Sequence, residues 1–163
     1  MARKKVYFSY HYEKDGNRVE QIRNMGLTRD VKPLPKEEWD ELCRQGDDSI
    51  KRWIDKCINE VDCLVVFIGE ETFKRKWIIY EIEKAWNEGK GILGIYIHNL
   101  NDINMGKCKK GENPFVNFKM HRDGTTLRSK IKCYDPDPKD TYTCIYENIE
   151  DWISDAKSIR DFY

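Results

Sequence analysis

The sequence predicts an α/β protein with an open, doubly wound and mostly parallel sheet in a three-layer sandwich. Two continuous apolar segments, Cys63 to Ile68 and Gly91 to Ile97, are typical of parallel strands buried on both faces. Between them, apolar residues repeat at helical spacing on one stripe: Ile78, Ile79, Ile82, Ala85 and Trp86. Strand and helix patterns alternate along the chain, and this alternation favours a parallel sheet covered on both faces.

The N-terminal part begins with one strand and one helix. Lys5 to Tyr10 reads as the first strand, and His11 to Asp15 as a polar loop. A modest helix is predicted from about Asn17, with Gly26 as its C-cap.

The segment before the central strand contains two prolines and a clear helix. The prolines within Thr28 to Glu38 favour an irregular crossing or an edge strand, because proline cannot donate to a central ladder. Trp39 and Leu42 predict a short helix after it. Asp47 to Glu60 predicts a longer helix, capped by Asp47 or Asp48.

The C-terminal part is read as a long loop, two strands and a closing helix. Asn101 to Arg122 is polar and too long for a routine connection, so it is either a functional cover or disordered. Leu127 to Cys133 and Thr141 to Tyr146 are predicted as strands. The closing helix is predicted to start near Asn148, with Asn148 and Asp151 as a capping pair.

Composition bounds the class of protein. The 163 residues suit one domain, spanning 1–163. Lys plus Arg and Asp plus Glu number 29 each, so net charge gives no argument for nucleic acid or an anionic membrane as partner. The six cysteines form no C-x-x-C pair, and Cys57 and Cys63 lie in apolar patterns. With no apolar signal region after MARKK and no membrane-spanning run, we expect a soluble cytoplasmic protein with reduced thiols.

The predicted topology places a candidate site at one edge of the sheet. Doubly wound sheets bind ligands beyond the carboxyl ends of the strands, where strand order reverses. This puts Ser9, Tyr10 and His11 in one crevice with the turn Gly69 to Lys76 and the start of the Glu81 helix. Glu81 falls about 100° from the centre of the apolar stripe. Its carboxylate is therefore expected to be partly shielded and still open to a ligand.

Several chemistries lack their motifs. Neither G-x-G-x-x-G nor G-x-x-x-x-G-K-[ST] occurs, so the phosphate cradles of Rossmann and P-loop enzymes are missing. His11, His98 and His121 are isolated, so no metal site is expected. No G-x-S-x-G elbow is present. A phospho-receiver domain needs an acidic pair after the first strand, where this chain has Ser9-Tyr10-His11.

Two stretches carry a resemblance to a known family. VYFSYHY at 6–12 and LVVFIGEETFKRKWIIYEI at 64–82 resemble the Toll/interleukin-1 receptor (TIR) domain, a flavodoxin-like sandwich. The resemblance is closest to the TIR-like proteins of bacterial Thoeris antiphage defence. It covers about residues 4–100 and leaves 101–163 without a counterpart. The proline-containing Val31 to Trp39 replaces the usual second-strand region, so interaction-loop residues are not carried over.

The resemblance implies cleavage of NAD, as substrate and not as cofactor, at the nicotinamide–ribose bond. The ADP-ribose would become a cyclic or conjugated signal nucleotide that activates a separate effector protein, and self-assembly is a possible requirement. The family's catalytic glutamate falls on Glu81 and its preceding tryptophan on Trp77. Ser9, Tyr10 and His11 would bind substrate. The polar 101–122 loop or a second subunit would cover the site.

The chemistry agrees with a single carboxylate. Nicotinamide in NAD is a cationic pyridinium that leaves as a neutral molecule, so no general acid is needed. Glu81 would stabilise the oxocarbenium-like ribosyl centre, Trp77 would wall the nicotinamide, and Ser9 and His11 would hydrogen-bond ribose or phosphate.

Other interpretations stay open on the sequence. A glutamate near a helix N-terminus is often only solvated, and Trp77 is equally well core packing. The remaining tryptophans lie on apolar faces and are predicted as core: Trp39, Trp53, Trp86 and Trp152. The alternative functions are a non-catalytic TIR-like protein-interaction or nucleotide-binding module, and a nucleoside-transferase-like enzyme of similar architecture.

Overall fold

A five-stranded, all-parallel sheet forms the centre of the computed structural model, which describes residues 3–118 and 127–163. Its strand order is β2-β1-β3-β4-β5. The strands are β1 Lys4–Ser9, β2 Thr28–Asp30, β3 Cys63–Ile68, β4 Gly91–Tyr96 and β5 Cys133–Tyr134. The doubly wound α/β architecture is confirmed.

Helices cover both faces of this sheet. They are α1 Tyr12–Arg23, α2 Lys36–Gln45, α3 Asp47–Asn59, α4 Lys76–Asn87 and α5 Thr141–Phe162. Short 3₁₀ segments lie at Thr72–Lys74, Pro114–Asn117 and Leu127–Ser129. α1 and α5 pack on one face, while α3 and α4 pack on the other with α2 against α3. None of the helices in the described parts of the chain has the length and apolarity needed to cross a bilayer.

The side chains on the two faces of β3 belong to two separate hydrophobic cores. Leu64, Val66 and Ile68 point toward α3 and α4, and the alternate residues point toward α1 and α5. All six residues of Cys63–Ile68 are buried. This double burial explains why the segment is continuously apolar instead of alternating.

Strand order reverses at β1. From β1 the chain crosses to β2 on one side, and it then returns to β3 on the other side of β1. The register pairs Ser9 with Val66, so the carboxyl ends of β1 and β3 lie side by side. A crevice is therefore expected above these two strand ends.

The predicted polar loop at His11 to Asp15 is wrong, because α1 already begins at Tyr12. The His11 side chain caps the helix, with its Nδ1 accepting from the Lys14 backbone N–H at 3.2 Å. Asp15 and Arg18 are buried on this helix as an ion pair. Because buried residues at the start of this helix are charged, the apolar periodicity that indicates a helix is missing there. The first turn was therefore not predicted from the sequence. Gly26, predicted as the C-cap, lies beyond the capping residue Asn24.

The predictions for residues 28–60 hold except at one cap. β2 is an edge strand, one of the two options that the prolines left open. Trp39 and Leu42 anchor α2, and α3 covers the predicted helical stretch. Gly46, and not Asp47 or Asp48, is the N-cap of α3.

The predicted strand at Thr141 to Tyr146 is also wrong, because these residues form the first turns of α5. Asp140 caps this helix by accepting from the Thr143 N–H at 3.1 Å. Asn148, predicted as a cap, donates to the Cys144 carbonyl at 2.7 Å from within the helix. The alternating TYTCIY pattern has β propensity, but burial of a helical face outweighs it. That face consists of Ile145, Ile149, Ile153 and Ala156.

The remaining C-terminal predictions hold in part. Of Leu127 to Cys133, only Cys133 joins the sheet, in the two-residue strand β5. The polar segment 101–122 is described only to residue 118, so its remainder and His121 lie outside the described residues. Within 101–118, Asp102 and Gly106 form an isolated antiparallel bridge.

Candidate functional site

A cavity of about 860 Å³ opens at the switch point between β1 and β3. Its walls come from the end of β1, the start of α1, the connection from β2 to α2, and the start of α4. The lining includes Tyr7, Tyr10, His11, Trp39, Trp53, Arg75, Trp77 and Glu81. The structure therefore brings Tyr10 and His11, which follow β1, to one cavity with Trp77 and Glu81 of α4, while Ser9 does not line it.

Glu81 lines this cavity from α4 and is only 6% exposed. The Ser9 hydroxyl donates to Glu81 Oε1 at 3.3 Å. Tyr7 lines the same cavity, and its hydroxyl lies close enough to this carboxyl group to lower the pKa of Glu81. Tyr7 and Ser9 reach it together because alternate residues of β1 point to one face of the sheet. The carboxyl group is more deeply buried than its border position on the helix predicts.

The electrostatics of Glu81 are set by burial. Loss of hydration raises the pKa of Glu81 to about 8, and hydrogen bonds from Tyr7 and Ser9 offset only part of this rise. Among the described residues, no salt bridge includes Glu81. The site thus holds a buried carboxyl group whose neighbours are neutral hydroxyls. A positively charged group of a ligand can bind beside this carboxyl group.

His11 lines the same cavity as the N-cap of α1 and is 5% exposed. Because its Nδ1 accepts the Lys14 N–H, the proton of a neutral ring must lie on Nε2. Burial, and then the positive charge of Arg75, lower the pKa of His11 below its ordinary value. At neutral pH the ring is therefore an uncharged donor through Nε2.

Two tyrosine rings that stack on each other line the cavity near the start of α1. The rings of Tyr10 and Tyr12 stack with centroids 6.2 Å apart and planes 26° apart. Tyr10 is half-buried and its hydroxyl interacts with Arg23, while Tyr12 is 56% exposed. A planar group that enters the cavity can stack on these two rings.

Trp77 lies on the border between the core and the cavity. It is half-buried, its ring meets the edge of Tyr80 at 5.9 Å, and the Lys76 ammonium lies 4.8 Å from its ring centroid. Trp39 and Trp53, predicted as core, are half-buried and also line the cavity. These two tryptophans therefore pack against the core, as predicted, and in addition form part of the cavity wall.

The sequence interpretation missed Tyr7 and the basic rim of the cavity. Tyr7 precedes Ser9 by two residues in a strand, so strand alternation alone was enough to point to it. The rim residues come from separate turns: Lys36, Lys74, Arg75 and Lys76. No described residue of 101–118 lines the cavity. Within the described residues there is also no group of three His, Cys, Asp or Glu side chains placed to hold a metal ion.

Comparison with known proteins gives the family. The family model described as "Thoeris protein ThsB, TIR-like domain" matches residues 7–102, more than half of the chain. A protein of Bacillus cereus (strain MSX-D12) named "Putative cyclic ADP-D-ribose synthase ThsB1" is 32% identical over 131 residues. That alignment covers 76% of this chain and 68% of the relative. The matched range includes the end of β1, the Glu81 helix and β4, so the chain belongs to the Thoeris ThsB family of TIR-like domain proteins.

Proposed function

We propose that this protein cleaves NAD at the nicotinamide–ribose bond and converts the ADP-ribose into a cyclic or conjugated signal nucleotide for antiphage defence. Family membership and the name of the Bacillus cereus relative support this proposal. The observation that carries it is the buried carboxyl group of Glu81 at the floor of the switch-point cavity.

The charge of the site suits this reaction. NAD brings a pyridinium cation, and a positive charge beside Glu81 favours the ionised carboxylate despite the burial. As the C–N bond breaks, positive charge moves to the ribose and nicotinamide leaves neutral. A carboxylate in a dry site stabilises that ribosyl cation more strongly than it would in water.

The other predicted residues take binding roles in this proposal. The Ser9 hydroxyl orients Glu81 and meets the ribose, and the Nε2–H of His11 donates to a ribose or phosphate oxygen. Trp77 walls the nicotinamide at the start of α4. Tyr10, with its stacked neighbour Tyr12, offers a face for the second base of the dinucleotide.

The diphosphate of NAD is assigned to the basic rim. Arg75 and Lys36 both line the cavity, and Arg75 lies close enough to His11 to lower its pKa. Lys76 is already paired with Asp47, and Arg23 with Asp30, so these two cations are partly neutralised. Arg75 and Lys36 are therefore the better candidates for phosphate contacts.

The fate of the ADP-ribose depends on water at the site. Excluding water favours capture of the ribosyl cation by a second nucleophile over hydrolysis. In this proposal a second copy of the chain closes the cavity by self-assembly, and the product acts on a separate effector protein. All six cysteines are free thiols, which agrees with action in the reducing cytoplasm.

Replacing Glu81 with Gln tests the proposal directly. The amide keeps the shape but cannot carry the negative charge, so nicotinamide release should fall by about 10²- to 10³-fold while the melting temperature does not fall. Glu83→Gln is the matched control, because Glu83 is exposed on the same helix. Nicotinamide is quantified chromatographically, and mass spectrometry identifies the nucleotide formed.

The assay should include protein at high concentration and extract from phage-infected cells, since the enzyme can require a trigger. Turnover by Glu81→Gln equal to that of the parent protein would end the catalytic assignment. If the parent protein releases no nicotinamide under any of these conditions, a non-catalytic interaction or nucleotide-binding module is the better account.

A further inference from the structure

We infer that Tyr7 is a positioning residue for Glu81, whose hydroxyl holds the carboxylate in its working orientation and charge state. The inference rests on the proposed function, since it assigns a role within the same site. Tyr7 acts through Glu81 and need not touch the reacting atoms.

The placement of Tyr7 is rigid. It lies in β1, which is hydrogen-bonded to a neighbouring strand on each side, and it is 6% exposed. In the register of the sheet Tyr7 is opposite Leu64, and Ser9 is opposite Val66. Both side chains leave the same face of the strand, two residues apart, and reach the Glu81 carboxyl group.

The ring of Tyr7 is fixed by its neighbours. Its edge packs on Trp53 of α3, with centroids 6.3 Å apart and planes 61° apart. It shares a core with Ile78 and Ile82, which flank Glu81 on α4. Tyr7 therefore connects β1, α3 and α4 at the level of the carboxyl group.

The hydroxyl of Tyr7 can only act as a donor toward an ionised carboxylate. Burial, and then the charge of Glu81, raise the pKa of Tyr7 well above its ordinary value, so the phenol keeps its proton. Hydrogen bonding from Tyr7 lowers the pKa of Glu81, as does that from Ser9, against the larger effect of burial. The Ser9 bond, at 3.3 Å, is long for a hydroxyl donor. Of the two hydroxyls, that of Tyr7 lowers the pKa of Glu81 more.

Other titratable groups surround the carboxylate from each neighbouring element. They are Cys57 on α3, Tyr10 and His11 after β1, Lys36 and Asp40 on α2, and Arg75 before α4. None of them changes when the Tyr7 hydroxyl alone is removed. A shift in titration of Glu81 in such a variant therefore reports on the hydroxyl.

Tyr7→Phe tests the inference through the pH dependence of nicotinamide release. Loss of the donor should move the acid limb of the kcat profile to higher pH and cost about tenfold in kcat at about pH 7, with the deficit shrinking at higher pH. Tyr80→Phe is the control, because its hydroxyl donates to Asp55 at 2.7 Å outside the cavity. A residue that only supports packing would leave the midpoint of the acid limb in place.

A second measurement does not need turnover. Infrared titration of the protonated carboxyl band that is absent in Glu81→Gln should give a higher midpoint in Tyr7→Phe than in the parent protein, and a smaller shift in Ser9→Ala. An unchanged midpoint in Tyr7→Phe, or a larger shift in Ser9→Ala, would overturn the inference. If Glu81→Gln retains full turnover, the proposed function fails, while this titration still decides the role of Tyr7.

Discussion

Two carboxyl groups are buried at the same edge of the sheet, on opposite faces, and they have opposite surroundings. Asp15 on α1 is 1% exposed and pairs with the buried guanidinium of Arg18 at 2.9 Å. Glu81 on α4 is 6% exposed and meets only hydroxyl groups among the described residues. Burial raises the pKa of both groups, so a raised pKa does not by itself separate structure from function. The nature of the partner separates the two cases, because the Arg18 cation neutralises Asp15 while Glu81 faces a cavity.

The ion pair of Asp15 and Arg18 holds the 100–106 segment against α1. Arg18 donates from Nε to the Leu100 carbonyl at 2.8 Å and from Nη2 to the Gly106 carbonyl at 2.7 Å. The other carboxyl oxygen of Asp15 has no hydrogen-bond partner among the described residues and lies against Gly69, at the end of β3. This cluster joins α1, β3 and the 100–106 segment, and each of its charges is used within the fold.

The largest expected effect comes from breaking the pair. Arg18→Met leaves Asp15 buried without a cation, so we expect a loss of about 3–5 kcal/mol in the free energy of unfolding. Urea denaturation measures it. Arg44→Met is the control, because Arg44 forms an exposed pair with Glu41 and its loss should leave the free energy of unfolding nearly unchanged. Equal losses in the two variants would show that the buried pair is not a structural element.

A smaller effect is expected from Gly69→Ala. A Cβ at this position would lie 2.2 Å from the Asp15 carboxyl oxygen, which is too close without displacement of the pair. Such overpacking costs about 1–3 kcal/mol. Gly16→Ala in α1 is the matched control, since its Cβ would have no neighbour within 4 Å and alanine is the better helix former. Thermal unfolding that ranks Gly69→Ala as stable as Gly16→Ala would contradict the close approach.

Over a single pH unit, the smallest effect is the pH dependence that Glu81 gives to stability. Its pKa is about 8 in the folded protein and about 4.5 in the unfolded chain, so between these values only the folded state keeps the proton. The stability contributed by Glu81 is therefore present at low pH and is lost as pH rises toward about 8. The parent protein should lose up to about 1.4 kcal/mol per pH unit relative to Glu81→Gln in this window.

Urea denaturation of both proteins at several pH values checks this slope. Glu83→Gln, on the exposed side of α4, should follow the parent protein at each pH. A difference between the parent and Glu81→Gln that does not change with pH would mean that Glu81 titrates normally, and its contrast with Asp15 would then lose its electrostatic basis.

The strongest predictions from the sequence were those in which local pattern and tertiary burial agree. The apolar runs of β3 and β4 and the amphipathic pattern of α4 fix the parallel unit, because both faces of these strands must be covered. Strand order then brings Tyr10, His11 and Glu81 to one cavity, with Ser9 buried behind it and hydrogen-bonded to Glu81. The predictions failed for the start of α1 and for α5, where a buried ion pair and long-range packing override local propensity.

The sequence by itself determined the class of fold, because hydrophobic periodicity is a property of the chain alone, and its resemblance to TIR domains pointed to Glu81 as the acid of the proposed chemistry. Only the tertiary structure decided how deeply Glu81 is buried and that the Tyr7 hydroxyl reaches it. Burial and hydrogen bonding depend on groups that are far apart in the sequence, here β1 and α4, and only their packing sets the charge state of the carboxyl group.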